Sequence, residues 1–454
     1  MEISIRLNIK YKLTYIYIIN INNAVIIVML TEEQILERNK LIGENGKQTR
    51  AKRKTQICRT FRFKIDWDRL NNRQKECLKM MFVEAKWIYN YIISQEDIKS
   101  IDYKTLSTII RKDKNKNDIS TQIQYLGSSI KQELIAQILN QIKGLSVLKK
   151  KGHKVGRLRY KSEFNSIKLK QYKVTHYLKG NNKIKVQGIH DALPLLGMNQ
   201  LCKYKDNIDY TTANLIYDGI NYYVCLTCFI DKDKDNTVYK RKNSILGIDL
   251  GIKDTVTCSD GTKFNISIGE SEKLKKLQRK LEGQIKGSNN WNKTKKKTRK
   301  EYIHITNKRN DVANKLVHNL LSIADIIVMQ DEQIESWRQT TNSTDKIQHS
   351  ILGRIKSRLS YSDRVVILDK YFPTTKYCST CGNMLSLELN DRIYECPVCK
   401  RKEDRDIHAA NNMIYFYQQI KDRPGTDQTL KLVSYNSYKE FVAKQESTMS
   451  LAQC

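Results

Sequence analysis

The chain has 454 residues, 81 Lys and Arg against 48 Asp and Glu, and a formal charge of +33. A charge that large excludes an ordinary enzyme of small metabolites. It calls for a polyanionic partner, by default nucleic acid, because the basic residues run through most of the sequence. An AT-rich genome would explain the abundant Lys, Asn and Ile but not so large an excess of bases over acids. Eleven cysteines, an odd number without signal-peptide architecture, argue against a disulfide scaffold. They favour a reducing compartment, so the expected location is cytoplasmic and nucleoid-associated in a bacterium or archaeon.

In chain order, residues 11–30 (YKLTYIYIININNAVIIVML) are apolar but broken by Lys12, Asn20, Asn22 and Asn23. They fall short of the roughly 20 apolar residues of a membrane span and lack a small-residue cleavage site. An extra strand is one reading; translated upstream sequence with the true start at Met29 is preferred. Residues 31–56 read as a flexible basic arm that contacts phosphates, so 1–56 is expected to be a disordered or mis-started segment and basic arm. CRTFRFKID (58–66) alternates like a strand. Asn71 or Asn72 is placed to cap a helix over 76–93 with an apolar stripe of Leu78, Phe82, Ala85 and Tyr89, and helical pattern continues to about Leu148. From 149 to 171 basic residues interleave with aromatics in a strand-like pattern. Lys154, Arg157, Arg159, Tyr160, Lys161 and Lys168 suit a nucleic-acid groove where cations meet phosphates and rings stack on bases. Short strands follow to about 230, with a hairpin at Asp218-Gly219, and suggest a small barrel. Cys225 and Cys228 would face opposite sides of their strand and read as core cysteines. From 245 the order strand, hairpin, helices, strand, helix describes an α/β domain. Its long helical segment 266–320 holds a second basic patch with Lys295, Lys296, Lys297 and Arg299.

Three carboxylates stand out. Asp249 is embedded in ILGIDLG, between Ile248 and Leu250, where an acid is costly without a partner or a task. A lone acid of this kind is more often a hydrogen-bonded structural group. Asp331 and Glu332 directly follow the apolar run IIVM-Gln330, and Asp406 lies in DRDIHAANNM. Acids on two strand ends and a helix start match the hard oxygen ligands that a pair of Mg²⁺ ions needs around a phosphodiester. Between the second and third acids lie Cys378-x2-Cys381 and Cys396-x2-Cys399, fourteen residues apart. That spacing gives a closed tetrahedral site for one structural zinc ion.

GIDLG, a hydrophobic strand ending in QDE, CxxC…CPxC and DRDxHAAxNM together resemble the TnpB proteins of insertion sequences, compact relatives of type V CRISPR effectors. FRFKID, GRLRYKSEFNSIKLKQ and LPLLG (193–197) support the resemblance upstream, which covers roughly 58–415. It implies a multidomain α/β protein with a ribonuclease-H-like RuvC nuclease domain (241–374 and 404–420, with 266–320 as a helical lid insertion). A zinc ribbon (375–403) splits that domain. A wedge β-barrel (57–68 and 149–240) interrupted by a helical recognition lobe (69–148) and a C-terminal tail (421–454) complete the expected layout. The implied activity is Mg²⁺-dependent, RNA-guided cleavage of double-stranded DNA beside a short adjacent motif. The implied partners are a guide RNA from the mobile element and the DNA target, with no membrane, in a monomer or homodimer.

By the same resemblance Asp249 and Asp406 match catalytic acids. Many relatives have Glu where this chain has Gln330; Glu332, two residues on and on the same strand face by alternation, is taken as the middle acid. His408 stands where relatives often carry Asn, with either a phosphate contact or a structural hydrogen bond open to it. Asp404 reads as a helix cap and Arg405 as a phosphate contact. Alternatives are a nuclease-inactive RNA-guided repressor, which the Gln330 departure keeps open, and a compact type V CRISPR effector. A strand-joining transposase lacks its His-hydrophobe-His and Tyr set, and a plain zinc-ribbon DNA-binding factor leaves the embedded acids unexplained.

Overall fold

A computed structural model describes residues 2–439 apart from 10–11, 22–23, 30–31, 114, 151, 205–206, 232–243, 341–343, 389–390, 422–431 and 437. It divides into two compact units, Met1–Asn236 and Thr237–Cys454. No helix among the described residues is long and apolar enough to cross a membrane.

In the first unit β1 (Glu2–Ile9), β2 (Lys12–Ile21) and β3 (Ala24–Met29) form an antiparallel sheet, so the described residues of the apolar stretch are strands. α1 (Glu32–Lys54) stands where a flexible arm was expected. It is built of Glu, Lys, Arg and Gln, good helix formers without an apolar face. Its last turn is tied down: the Arg53 guanidinium lies 3.9 Å over the Phe229 ring and 3.0 Å from Asp209. β4 (Gln56–Ile65) leads into α2 (Asn72–Ser94). Asn71 caps α2 reciprocally: its Oδ1 accepts from the Gln74 amide at 2.8 Å, and its own amide donates to Gln74 Oε1 at 2.9 Å.

The helical run expected to reach Leu148 is broken by a hairpin of β5 (Thr108–Lys112) and β6 (Asp118–Gln122) before α3 (Ser128–Lys150). Asp113 explains the break, because its Oδ1 accepts from the amides of Asn115 and Asn117 and closes the turn. β7 (Ser166–Leu169), β8 (His176–Lys179), β9 (Lys183–Val186), β10 (Leu193–Leu196), β11 (Ile208–Tyr217) and β12 (Tyr222–Asp231) follow. They join β4 in a seven-stranded barrel-like sheet ordered β7-β11-β12-β4-β10-β9-β8. On β12, Val224, Leu226, Cys228 and Ile230 are buried and alternate with half-buried residues. Cys228 is therefore a core cysteine, while Cys225 lies on the other face, which corrects the reading of both as core.

The second unit contains β13 (Ile245–Asp249), β14 (Val256–Cys258), β15 (Lys263–Phe264), α4 (Glu272–Glu282), α5 (Asn289–Ile323) and β16 (Ile326–Gln330). Next come α6 (Ile334–Thr340), α7 (Thr344–His349), α8 (Leu352–Ser360) and β17 (Val365–Leu368). β18 (Ile393–Glu395), β19 (Lys402–Asp404), α9 (Arg405–Lys421) and β20 (Leu432–Val433) complete it. Its mixed sheet runs β15-β14-β13-β16-β17-β20, with β13, β16, β17 and β20 parallel. The strands are buried on both faces, as parallel strands usually are. Ile327, Met329 and Val365 join a core with α5 and α8. Val328, Val366 and Leu368 pack on Met413, Phe416 and Ile420 of α9.

Candidate active site and metal centre

The two-residue period of β13 decides where Asp249 points. Leu246 and Ile248 face the α5–α8 core, so Gly247 and Asp249 face α9. The helix sits so close that a Cβ on Gly247 would lie 1.9 Å from the Ala410 carbonyl oxygen. Only glycine permits that approach, and the buried Ala409 and Ala410 supply the matching small face. Asp406 stands in the first turn of α9. Asp404 caps that turn, its Oδ1 accepting from the amides of Asp406 at 3.0 Å and Ile407 at 3.2 Å. Its other oxygen pairs with Lys263 Nζ at 2.7 Å. Burial works to raise the Asp404 carboxyl, but Lys263 and the two amides outweigh it and lower it.

Asp249 is densely surrounded by protein, and burial pushes its carboxyl well above the ordinary range. The negative charges of Asp406 and Glu332 push it further up, against Arg405 and the Leu250 amide. Two of the acids found separately in the sequence thus act electrostatically on the third, Asp249. Burial also raises Glu332, with Asp331 adding to it and Lys356 opposing. Lys356, on α8, went unnoticed in the sequence. Its Nζ lies 2.6 Å from the Glu332 carbonyl oxygen and 2.7 Å from Asp331 Oδ1. It therefore fixes the Glu332 backbone while occupying Asp331.

Gln330 has a task of its own. Its buried Nε2 donates to the carbonyls of Asp369 (3.2 Å), Lys370 (3.1 Å) and Phe372 (2.8 Å), and its Oε1 accepts from Thr374 at 2.7 Å. A carboxylate facing three carbonyl oxygens would be repelled, so the amide belongs here. β16 ends at Gln330, so strand alternation does not extend to Glu332. Alternation therefore does not place Glu332, although its charge acts on Asp249.

The four cysteines form the second centre. The sulfurs of Cys378, Cys381, Cys396 and Cys399 all lie within 4.8 Å of one another, the only such group of metal-type ligands found among the described residues. The Cys378–Cys399 and Cys381–Cys396 separations are both 3.5 Å. A tetrahedron with zinc–sulfur bonds of about 2.3 Å has edges of about 3.8 Å, so the set fits a metal such as zinc and is far too open for disulfides. Burial opposes ionisation of Cys378, but amides of Cys381 and Thr380 and neighbouring thiols hold its pKa down to about 6. The three carboxylates are not gathered this tightly.

His408 joins the two centres. It is fully buried, with Nδ1 2.5 Å from Glu403, Nε2 2.9 Å from the Tyr377 carbonyl, and its ring stacked 3.6 Å from that of Tyr394. Of its two expected roles, the structural one describes it. Arg405, expected on a phosphate, donates to the carbonyls of Glu388 and Asp391. Lys161 lies 4.0 Å over Tyr89, and Lys168 pairs with Glu133 at 2.6 Å. Each of the three thus makes an internal contact. Lys295 and Arg299 are half-buried, and Lys295 covers Trp291 at 4.8 Å. Lys154, Arg157, Arg159, Tyr160, Lys296 and Lys297 remain exposed.

Comparison with known proteins finds the following similarities. Residues 229–337 match the family OrfB_IS605, described as probable transposase, and 354–413 match the Cas12f1-like TNB domain. A Streptomyces pristinaespiralis protein named an RNA-guided DNA endonuclease is 27% identical over 266 residues, covering 56% of this chain and 64% of the relative. The TnpB-like protein L79 of Acanthamoeba polyphaga mimivirus is 30% identical over 204 residues, 39% of this chain and 38% of the relative. The chain thus spans less than two-thirds of the length of either relative. A Cas12f1–sgRNA–target DNA complex matches with a TM-score of 0.40 at 13% identity, over 79% of this chain and 99% of that one; so weak a likeness aligns no residues of the site. The class is a multidomain α/β protein with a four-thiolate metal centre beside a carboxylate cluster. Within that class, the chain is similar to the TnpB-like and RNA-guided endonuclease proteins that these matches name.

Proposed function

We propose that the chain is an RNA-guided DNA endonuclease of a mobile element, of RuvC type, hydrolysing DNA phosphodiesters with Asp249, Glu332 and Asp406. One observation carries the reading: an Asp249 whose carboxyl is raised by its dense protein surroundings and then by the charges of both other acids. Anions kept together with only partial relief from Arg405 and Lys356 are unfavourable, and divalent metal relieves them. Mg²⁺ would be held by these three carboxylates, supplying a lowered water pKa for attack and charge for the leaving oxygen. A spacing looser than that of the thiolates suits two ions about 4 Å apart rather than one.

The chain's own residues then have defined tasks. Asp404 and Gly247 set the height and start of α9, and so the position of Asp406. Lys356 fixes the backbone at Glu332. The ribbon over 375–403 would hold one zinc ion through its four cysteines. The barrel-like sheet and the helices within its connections would serve as wedge and recognition lobe, gripping a guide RNA and the DNA motif through residues such as Lys154, Arg157, Arg159 and Tyr160. Gln330 offers no support for an inactive repressor, since its amide is occupied by a loop that a glutamate would disturb. The test is purification with bound RNA, sequencing of that RNA, and a cleavage assay on a matching target with and without Mg²⁺. Metal-dependent cutting lost in Asp249→Ala is the expected result; cutting at the normal rate by that variant refutes the assignment.

A further inference from the structure

α5 and α8 share a ladder of polar side chains. Asn310 and Asn314, one turn apart on α5, meet Arg354 and Arg358, one turn apart on α8. Arg354 Nε donates to Asn310 Oδ1 at 3.1 Å. Arg358 donates through Nη2 to the same oxygen at 2.9 Å, through Nε to Asn314 Oδ1 at 2.5 Å, and through Nη1 to the Arg354 carbonyl at 3.0 Å. Arg309 adds a third guanidinium, bonded to the Ile268 carbonyl and 3.0 Å from His349 Nδ1. Each of these acceptors is a neutral amide, carbonyl or ring nitrogen. α5 does carry an acid beside the ladder, but Asp311 pairs with Lys315 at 2.8 Å instead.

A guanidinium stays charged at any working pH, so neutral acceptors orient this cluster without cancelling it. The repulsion is visible: behind burial, the Arg354 charge is the next influence lowering both Arg309, which Glu270 partly offsets, and Arg358. Among the described residues no carboxylate bonds to Arg354 or Arg358. A cavity of about 370 Å³ opens onto them, lined also by Ser350, Ser357 and Gln348, with the exposed Glu335 beside them. Its wall at Ile334 and Glu335 begins two residues after Glu332. Lys356, which holds the Glu332 carbonyl, sits between the two arginines on α8.

We propose that Arg354 and Arg358 form a seat for a backbone phosphate of the DNA strand that enters the carboxylate cluster. The proposal rests on the nuclease reading and adds the site that positions the strand. Planar guanidiniums match phosphate oxygens in a fork, Ser350 and Ser357 offer hydroxyl donors, and one anion removes the uncompensated charge. A phosphate contact carries no base information, so the seat is indifferent to sequence.

The experiment measures single-stranded DNA oligonucleotide binding to the RNA-loaded protein by fluorescence anisotropy over a salt series without Mg²⁺. The double variant Arg354→Gln/Arg358→Gln should bind unrelated sequences about tenfold or more weakly and lower the log–log salt slope by about 0.7, the value for one phosphate contact on a single strand. Arg354→Lys/Arg358→Lys keeps the charge while losing the forked bonds to Asn310 and Asn314, and should retain most of the slope. An unchanged slope in the glutamine variant overturns the proposal. So does an equal loss in the lysine variant with a matching drop in Tm, which makes the ladder structural, or a loss confined to RNA. Because no cutting is needed, a chain that proves unable to cleave but shows the slope change retires the nuclease reading and keeps the seat.

Discussion

The two centres of the second unit solve opposite problems. The thiolate centre gathers its ligands from a short hairpin-like stretch and packs their sulfurs at tetrahedral spacing, with Tyr394 buried against Cys378 and Cys396. The carboxylate centre draws its acids from β13, the residue pair after β16 and the start of α9, and leaves Asp249 under the repulsion of the other two. The first is complete once a metal arrives, and its product is rigidity. The second holds charge in an unfavourable state that a substrate-bearing metal site can use. A closed site stabilises the fold, whereas an open one costs stability and returns it as chemistry.

The sharpest break in the comparison is catalytic. Asp249→Ala or Asp406→Ala should lower cleavage by at least about a thousandfold, the scale for losing a main electrostatic contributor in an active site, with RNA binding unchanged in a gel-shift assay. Cys396→Ser should act on the other side of the comparison. It should lose bound zinc by metal analysis and destabilise the second unit by several kcal/mol, since structural metal binding is folding free energy. Cleavage should fall only as far as the start of α9 loosens. Gly247→Ala should come next, costing about 1–3 kcal/mol by the usual scale for overpacking, read as a drop in Tm. Gln330→Glu should cost a similar or smaller amount, about 1–3 kcal/mol for a buried group that loses its hydrogen bonds, and should not raise activity.

The smallest effect has the opposite sign. The raised Asp249 carboxyl means that, between the unfolded and the folded pKa, the folded chain binds more protons than the unfolded one, so stability falls as pH rises through that window. Metal-free Asp249→Asn should therefore raise Tm at neutral pH, with the gap closing below about pH 4, where both states of the wild type are protonated. A variant no more stable than wild type at neutral pH would contradict the electrostatic account.

What the sequence disclosed follows the same division. The cysteine pairs were legible because their ligands are local and their spacing has one common use. Asp249 and Asp406 were legible as misplaced charges, one inside an apolar strand and one at a small-residue helix start. Glu332 was legible only as a candidate, because its place depends on where β16 ends and on Lys356, contacts that no local pattern encodes. The role of Gln330 was hidden for the same reason, since its partners lie some forty residues further on. Gly247 carried a signal that went unused: a glycine two residues before a buried acid, opposite an Ala-Ala pair. The arm at 32–54 was misread because charged helix formers without an apolar stripe look like coil, and the β5–β6 hairpin was missed because its turn depends on Asp113.

The central claim is that residues 249, 332 and 406 share divalent metal. Isothermal titration of Mn²⁺ into zinc-loaded protein tests it directly. The account requires Mn²⁺ binding that weakens sharply in Asp249→Asn and in Asp406→Asn while the zinc content stays constant. Unaltered Mn²⁺ affinity and stoichiometry in both variants would contradict it.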